Sequence, residues 1–269
     1  MRFCANVSIL FQDAPFLERF ARASRAGFRA VEFWWPAGEA LDEVAGAIGD
    51  AGLSVALFNF DGGDMAAGDR GLAGDPERSG RFRENVPVAL ELAQRLRCPR
   101  LNALVGLEQS RGERESQLRL AAENVRWAAD QAAPLGIDVT IEALNTFDNG
   151  PCLLHGTPQA AAFLDEVDRP NVRLQYDAYH MQRMEGNLVA TITEFATRIG
   201  HIQIADSPGR GEPGTGEIAY GFVLRAIEAL GYDGWVGLEY APTTPTTEDS
   251  LAWLPADRAG DVAVDRLAL

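Results

Sequence analysis

The sequence predicts an α/β fold, a single (β/α)8 barrel over residues 1–255, and three observations predict it. Short apolar, β-rich runs recur eight times along the 269 residues. Amphipathic helical segments separate them, and the usual junction is a helix, then Gly or Pro, then a strand. The first run, "ANVSILFQDAPF", lacks the glycine-rich turn that usually marks a doubly wound open sheet.

The elements follow in order. "FCANVSIL" reads as the first strand and "APFLERFARASRAG" as its helix. "AVEFWW" and "LSVALFN" are the second and third strands, each entered through a glycine. The long loop "DGGDMAAGDRGLAGDPERSG" comes next, and such loops often act as lids that exclude water, with an oligomer contact as the alternative. "RLNALVG" is the fourth strand, and "RGERESQLRLAAENVRWAADQAAPLG" the helix after it. "DVTIEAL", "VRLQYD", "HIQIAD" and "WVGLEY" complete the set. Their junctions, "LGIDVTIE", "IGHIQIAD" and "LGYDGWVGLE", place glycine where a helix end needs a left-handed residue. Residues 256–269, "ADRAGDVAVDRLAL", read as a C-terminal tail.

Composition narrows the function. The formal net charge is −15, so the average field repels nucleic-acid phosphates and anionic membrane surfaces. All 24 cationic side chains are arginine. Without lysine there is no ε-amine for a Schiff base or for anchoring pyridoxal phosphate. Three scattered cysteines suit a reducing, cytoplasmic setting rather than a disulfide framework. No apolar run is long enough to span a membrane, and the N-terminus has no signal-peptide core.

Four consecutive strands end alike. The fifth ends in Glu142, the sixth in Asp177 and the eighth in Glu239, while the seventh carries Gln203 near its end. In a parallel barrel these ends share one face, where catalysis occurs in this fold. Three carboxylates cannot crowd together ionised without a cation. Carboxylates with an amide oxygen are hard ligands, suited to Mg²⁺ or Mn²⁺. Two positions back on the same strands stand Thr140, Gln175, His201 and Gly237, fit to support a ligand layer. A single strand-end acid would simply face solvent. Four in register call for an ion.

The strings "IEALN", "LQYDAYHMQRMEG", "GHIQIADSPGRGEPGTGEI" and "GWVGLEY", with "FCANVSILF", "GFRAVEFWWP" and "GDMAAGDRGLAG", resemble the hydroxypyruvate isomerase family. That family belongs to the xylose-isomerase-like barrels, with tagatose and psicose epimerases as cousins. The resemblance implies Glu142, Asp177, Gln203 and Glu239 as metal ligands, Glu142 and Glu239 as catalytic proton carriers, and His180 as a substrate contact. Gln203 stands where the epimerases have histidine, which implies a loosely held or dispensable ion. The implied reaction interconverts hydroxypyruvate and tartronate semialdehyde (2-hydroxy-3-oxopropanoate) through a metal-stabilised enediolate, with the choice of base open.

The substrate carboxylate needs a cation, and only arginine can supply it: Arg210 first, then Arg70, then Arg183. Trp34 and Trp35 could wall a small pocket or pack in the core. Glu32 reads as a hydrogen-bonded support, His201 as packing under the ligand layer and His155 as structural. A small keto acid is the expected partner, and a homo-oligomer is compatible. The alternatives are a 2-oxo-tetronate isomerase, a ketose 3-epimerase and a non-catalytic metal- or sugar-acid-binding barrel. Endonucleases of related fold need a histidine cluster and a basic groove, which three histidines and the acidic charge disfavour.

Overall fold

In the structure, a computed structural model, residues 1–109, 114–256, 258 and 261–269 are described. Eight strands run β1 (Arg2–Asn6), β2 (Ala30–Phe33), β3 (Ser54–Asn59), β4 (Arg100–Ala103), β5 (Asp138–Glu142), β6 (Val172–Asp177), β7 (Ile199–Ile204) and β8 (Trp235–Leu238). Each pairs in parallel with the next, and β8 returns to β1 to close the barrel. Closure is what aims every strand end at one face.

The helices are α1 (Phe16–Arg25), α2 (Leu41–Asp50), α3 (Ser79–Leu96), α4 (Arg114–Ala132), α5 (Thr146–Asn149), α6 (Thr157–Val167), α7 (Ala178–Met184), α8 (Leu188–Phe195), α9 (Tyr220–Ala229) and α10 (Thr247–Ser250). The expected start of α4 at residues 111–113 lies outside the described residues. α5 and α7 are short additions in the loops after β5 and β6. After β8 the outer helix shrinks to α10 and a 3-10 turn over Leu251–Trp253. No helix among the described residues is long and apolar enough to cross a membrane.

Strand alternation separates two environments. Leu101, Ile141, Leu174, Ile202 and Val236 are buried in the main apolar core with helix residues such as Val86, Val125, Phe163 and Ile227. Interleaved with them, Asn102, Thr140, Gln175 and His201 are equally buried and join one another or neighbouring polar groups by hydrogen bonds.

Two expectations change. The first strand stops at Asn6, because the Asn6 carbonyl accepts from the Ile9 and Leu10 N–H groups and its side chain accepts from Ser8 N, turning the chain. Gly200 does not end a helix. It lies inside β7, where a Cβ would sit 2.7 Å from Arg173 Cβ, so close approach explains it. In the 256–269 segment, Val262 and Val264 are buried, and Val262 exchanges backbone hydrogen bonds with Met1.

The loop after β3 is packed down. Gly71 N donates to Gly62 O and Gly74 N to Val105 O, and residues 71–75 are buried. Arg78 bridges Asp69 and Asp75. The exposed parts are a short tip around Asp64–Ala67 and the approach to α3 at Pro76–Arg78.

Candidate active site

Glu142 and Asp177 are the last residues of β5 and β6, and Glu239 directly follows β8. One carboxylate oxygen from each, together with a ring nitrogen of His180, lies within 4.8 Å of the others, and all four residues are buried. Asp177 caps α7, its Oδ1 accepting from Tyr179 N at 2.8 Å. Its Oδ2 is buried without a hydrogen-bond partner. An orphaned carboxylate oxygen facing two more carboxylates is an arrangement a hard cation fits.

The electrostatics agree. Burial, then repulsion from Glu239 and Asp177, pushes Glu142 well above the carboxylate range. Burial also raises Asp177. Glu239 rises to about 7, burial outweighing the opposing charge of Arg210. A divalent ion would remove the repulsion and return these groups to their ionised forms.

Gln203 stands in a chain that fixes its amide. Its Nε2 donates to Glu32 Oε1 at 2.7 Å, and its Oε1 accepts from Gln175 Nε2 at 2.7 Å. Ionised Glu32 can only accept, so the Gln203 oxygen must point the other way. It shares the Gln175 amide with Glu142 Oε2, which lies 3.0 Å from that nitrogen. Gln203 oxygen is thereby presented beside Glu142. Asn102 supplies Glu142 Oε2 with a further donor at 2.9 Å, and Thr140 holds Gln175 Oε1.

Glu32 has no exposed surface. It meets His201 Nε2 at 2.6 Å, and Asn6 Nδ2 bridges it to Glu239, at 3.1 and 2.9 Å. Gly237 leaves the space, since a Cβ there would lie 2.4 Å from the Glu32 oxygens. Cys4, Glu32 and His201 also group ligand-type atoms. Burial and then Glu32 push the Cys4 thiol well up, and it donates to Glu32, so this trio is a hydrogen-bonded support.

His180 is assigned by its neighbours. Asn145 Oδ1 accepts from Asp148 N, which leaves Asn145 Nδ2 to donate to His180 Nδ1 at 2.7 Å. The neutral ring therefore carries its proton on Nε2, which faces Asp177 at 3.6 Å and Glu142 at 3.9 Å. Burial, with Arg210, Arg70 and Arg183 nearby, holds its pKa well below the usual value and keeps it neutral. A donor at Nε2 suits a substrate oxygen better than a metal.

The expected arginines separate. Arg70 and Arg210 line the site cavity, of about 60 Å³, with Trp34, Glu142, His180 and Glu239. Arg210 Nη2 pairs with Glu239 Oε2 at 2.8 Å, and its guanidinium lies over the Tyr179 ring. Arg70 Nε bonds Asn149, and Nη1 bonds the Met65 and Asp69 carbonyls. Among the described residues, Arg210 Nη1 and Arg70 Nη2 have no protein partner. Arg183 does not line the cavity. It stacks on Phe147 and donates to Pro208 O, because α7 carries it outside Tyr179. Among the described residues, His155 bonds the Cys152 carbonyl and Gln159.

Asn6, Asn59, Asn102 and Asn145 were not singled out in the sequence; Asn6 and Asn59 end β1 and β3, where the same register argument applies, while Asn102 lies inside β4 and Asn145 in the loop after β5. Trp34 acts beyond a wall, its indole N–H donating to Glu239 Oε1 at 2.7 Å. A larger cavity of about 300 Å³ opens near the strand starts, between Arg100, Arg173 and Tyr232. No metal-capable cluster lies there among the described residues.

Comparison with known proteins places this geometry. Residues 20–256 match the family described as xylose isomerase-like TIM barrel. Hydroxypyruvate isomerase of Escherichia coli (strain K12) is 44% identical over 254 residues, covering 94% of this chain and 98% of that protein. 2-Oxo-tetronate isomerase of Pectobacterium atrosepticum is 39% identical over 252 residues, covering 94% and 96%. A solved structure described as AP endonuclease, family 2 from Brucella melitensis is 41% identical, with a TM-score of 0.89, covering 94% of this chain and 97% of that one. A structure of L-ribulose 3-epimerase, 24% identical with a TM-score of 0.73 over 96% and 91% of the chains, shares the fold.

Proposed function

The chain belongs to the hydroxypyruvate isomerase family of xylose isomerase-like TIM barrels and is an isomerase, and from that premise we propose that it interconverts hydroxypyruvate and tartronate semialdehyde. The observation that carries this reading is the set of Glu142, Asp177 and Glu239 oxygens with the His180 nitrogen, all within 4.8 Å of one another, beside Arg70 and Arg210, each with a nitrogen that has no partner among the described residues. Asp177, Gln203, Glu142 and Glu239 would hold the divalent ion, Mg²⁺ or Mn²⁺ by the hardness of the donors. When bound, it supplies a Lewis acid that polarises adjacent carbonyl and hydroxyl oxygens.

The residues divide the remaining work. Arg70 Nη2 and Arg210 Nη1 hold the substrate carboxylate. His180 Nε2–H donates to the oxygen that gains charge. One of Glu142 and Glu239 takes the proton from C3, leaving an enediolate, and a proton returns at C2 while the hydroxyl proton passes from O3 to O2. Arg210 and Asn6 hold Glu239 in position for this transfer. The buried surroundings keep water from the enediolate.

The reading includes one barrel domain over residues 1–255, a tail over 256–269 and a cytoplasmic location, which three free cysteines suit. A second reading, 2-oxo-tetronate isomerisation, is favoured by relatives of that name at about 40% identity. An endonuclease activity is disfavoured: three histidines cannot supply a multi-zinc cluster, and the net charge is −15.

The test is deuterium exchange followed by NMR, with hydroxypyruvate in D₂O. Deuterium should enter C3 and tartronate semialdehyde should form, both falling by at least about 10³-fold in Glu142→Gln or Glu239→Gln. Chelation should abolish both and Mn²⁺ restore them. Exchange that survives chelation would remove the ion from the mechanism, and exchange undiminished in both variants would sink the proton-transfer assignment.

A further inference from the structure

Two cavities meet on the catalytic face. The inner one, of about 60 Å³, contains Glu142, His180 and Glu239. The outer one, of about 620 Å³, runs between Phe16 and Arg19 of α1, the segment Trp35–Glu39 and the loop after β3. Trp34 and Met65 line both, so these two side chains are the wall between them. We propose that Trp34, backed by Met65, is the specificity-determining partition that confines the substrate to three carbons and makes the enzyme prefer hydroxypyruvate to four-carbon 2-oxo-tetronate. The inference rests on the isomerase reading above.

Trp34 is fastened at both ends. Its backbone N–H donates to Ser8 Oγ at 2.9 Å, and its indole N–H donates to Glu239 Oε1 at 2.7 Å. A ring tied to a proton-carrying carboxylate cannot swing aside without breaking that bond, so the wall is stiff. Met65 closes the other side from the tip of the loop after β3, its side chain turned inward so that a Cβ on Gly62 would meet its Sδ at 3.1 Å.

Size then decides. A cavity needs roughly 10–15 Å³ for each water-sized centre, so the inner space takes on the order of four to six. A three-carbon keto acid leaves no spare room in a space of that size. 2-Oxo-tetronate adds a carbon and an oxygen, and of the inner lining Trp34 and Met65 are the residues with a second cavity behind them into which they can yield. One extra carbon against a closed wall is worth roughly 10–200-fold in discrimination.

The experiment compares kcat/KM for both acids, with Mn²⁺ present, in the wild type, Trp34→Phe, Trp34→Ala and Met65→Ala. The wild type should favour hydroxypyruvate by about ten-fold or more. Trp34→Phe, which keeps an aromatic wall but loses the N–H, should slow both acids and preserve the preference. Trp34→Ala and Met65→Ala should each shrink the preference by roughly ten-fold, as the two cavities join. Equal use of both acids by the wild type, or an unchanged ratio in the Ala variants, overturns the partition while leaving the isomerase reading intact. Turnover of neither acid by the wild type overturns the isomerase reading and the partition with it. Should Trp34→Ala fail to fold, the Met65→Ala ratio decides.

Discussion

At position 32 a carboxylate is kept ionised without any exposed surface, and what it contacts explains why. Burial alone would raise its pKa, but the charge of His201 and hydrogen bonds from His201, Gln203 and Asn6 outweigh it and hold the group below its ordinary range. As an anion Glu32 accepts only, and that fixes which end of the Gln203 amide faces the ligand layer. Glu32→Gln supplies a donor as well as an acceptor at that position, and Gln203 can then turn its nitrogen toward the ion. Supporting residues of this kind are worth about 10–100-fold in metal affinity. Calorimetric titration of Glu32→Gln with Mn²⁺ should show a loss of at least about ten-fold, and an unchanged affinity would mean the amide orientation is set elsewhere. Sequence offered only half of this. Glu32 and His201 were legible as polar residues inside strands, but not their partnership across the barrel.

At the scale of elements, the eight strands were legible because short apolar, β-rich runs recur between amphipathic helical segments, with glycine or proline at the junctions. The register that places Glu142, Asp177, Gln203 and Glu239 together needs only the parallel barrel. What was not legible depends on closure: Asn6 reaches Glu239 across 233 residues, because β1 pairs with β8. Trp34 meets Glu239 for the same reason, and no local pattern announces it. Arg183 was misplaced because a short helix after β6 points it away from the cavity. The loop after β3 shows how one residue seats an element. Gly71 has φ of +111° and passes so near the next loop that a Cβ would lie 2.1 Å from Leu104 O. Both the backbone conformation and the contact oppose any side chain. Gly71→Ala should cost about 3 kcal/mol in denaturant unfolding and raise KM, because Met65 and Arg70 ride on this loop. A loss under about 0.5 kcal/mol would show that the loop yields without strain.

Across the whole molecule, the acidic site couples stability to pH and to the cation. A carboxyl whose pKa is raised on folding binds its proton more tightly in the native state than in the unfolded chain. For Glu239 the ordinary value is 4.5 and the folded value about 7. Between these limits the native state holds a proton that the unfolded chain has lost, so stability falls as pH rises. The contribution is fully present below about 4.5 and lost as pH passes about 7. Glu142 and Asp177 are shifted in the same direction, so they add to the trend. A divalent cation reverses the balance, because it binds the ionised carboxylates and stabilises only the folded chain. Above about pH 7 no proton competes for Glu239, so the ion should bind more tightly there than at pH 5.5. Thermal unfolding of chelator-treated protein, with and without 1,000 Kd of Mn²⁺ as fixed at pH 8, should therefore show a larger rise in Tm at pH 8 than at pH 5.5. The full gain at that ratio is about 4 kcal/mol, and competition by protons should remove a substantial part of it at the lower pH. An equal or larger rise at pH 5.5 would mean that the three carboxylates are already ionised in the metal-free barrel, and that something other than the cation relieves their repulsion.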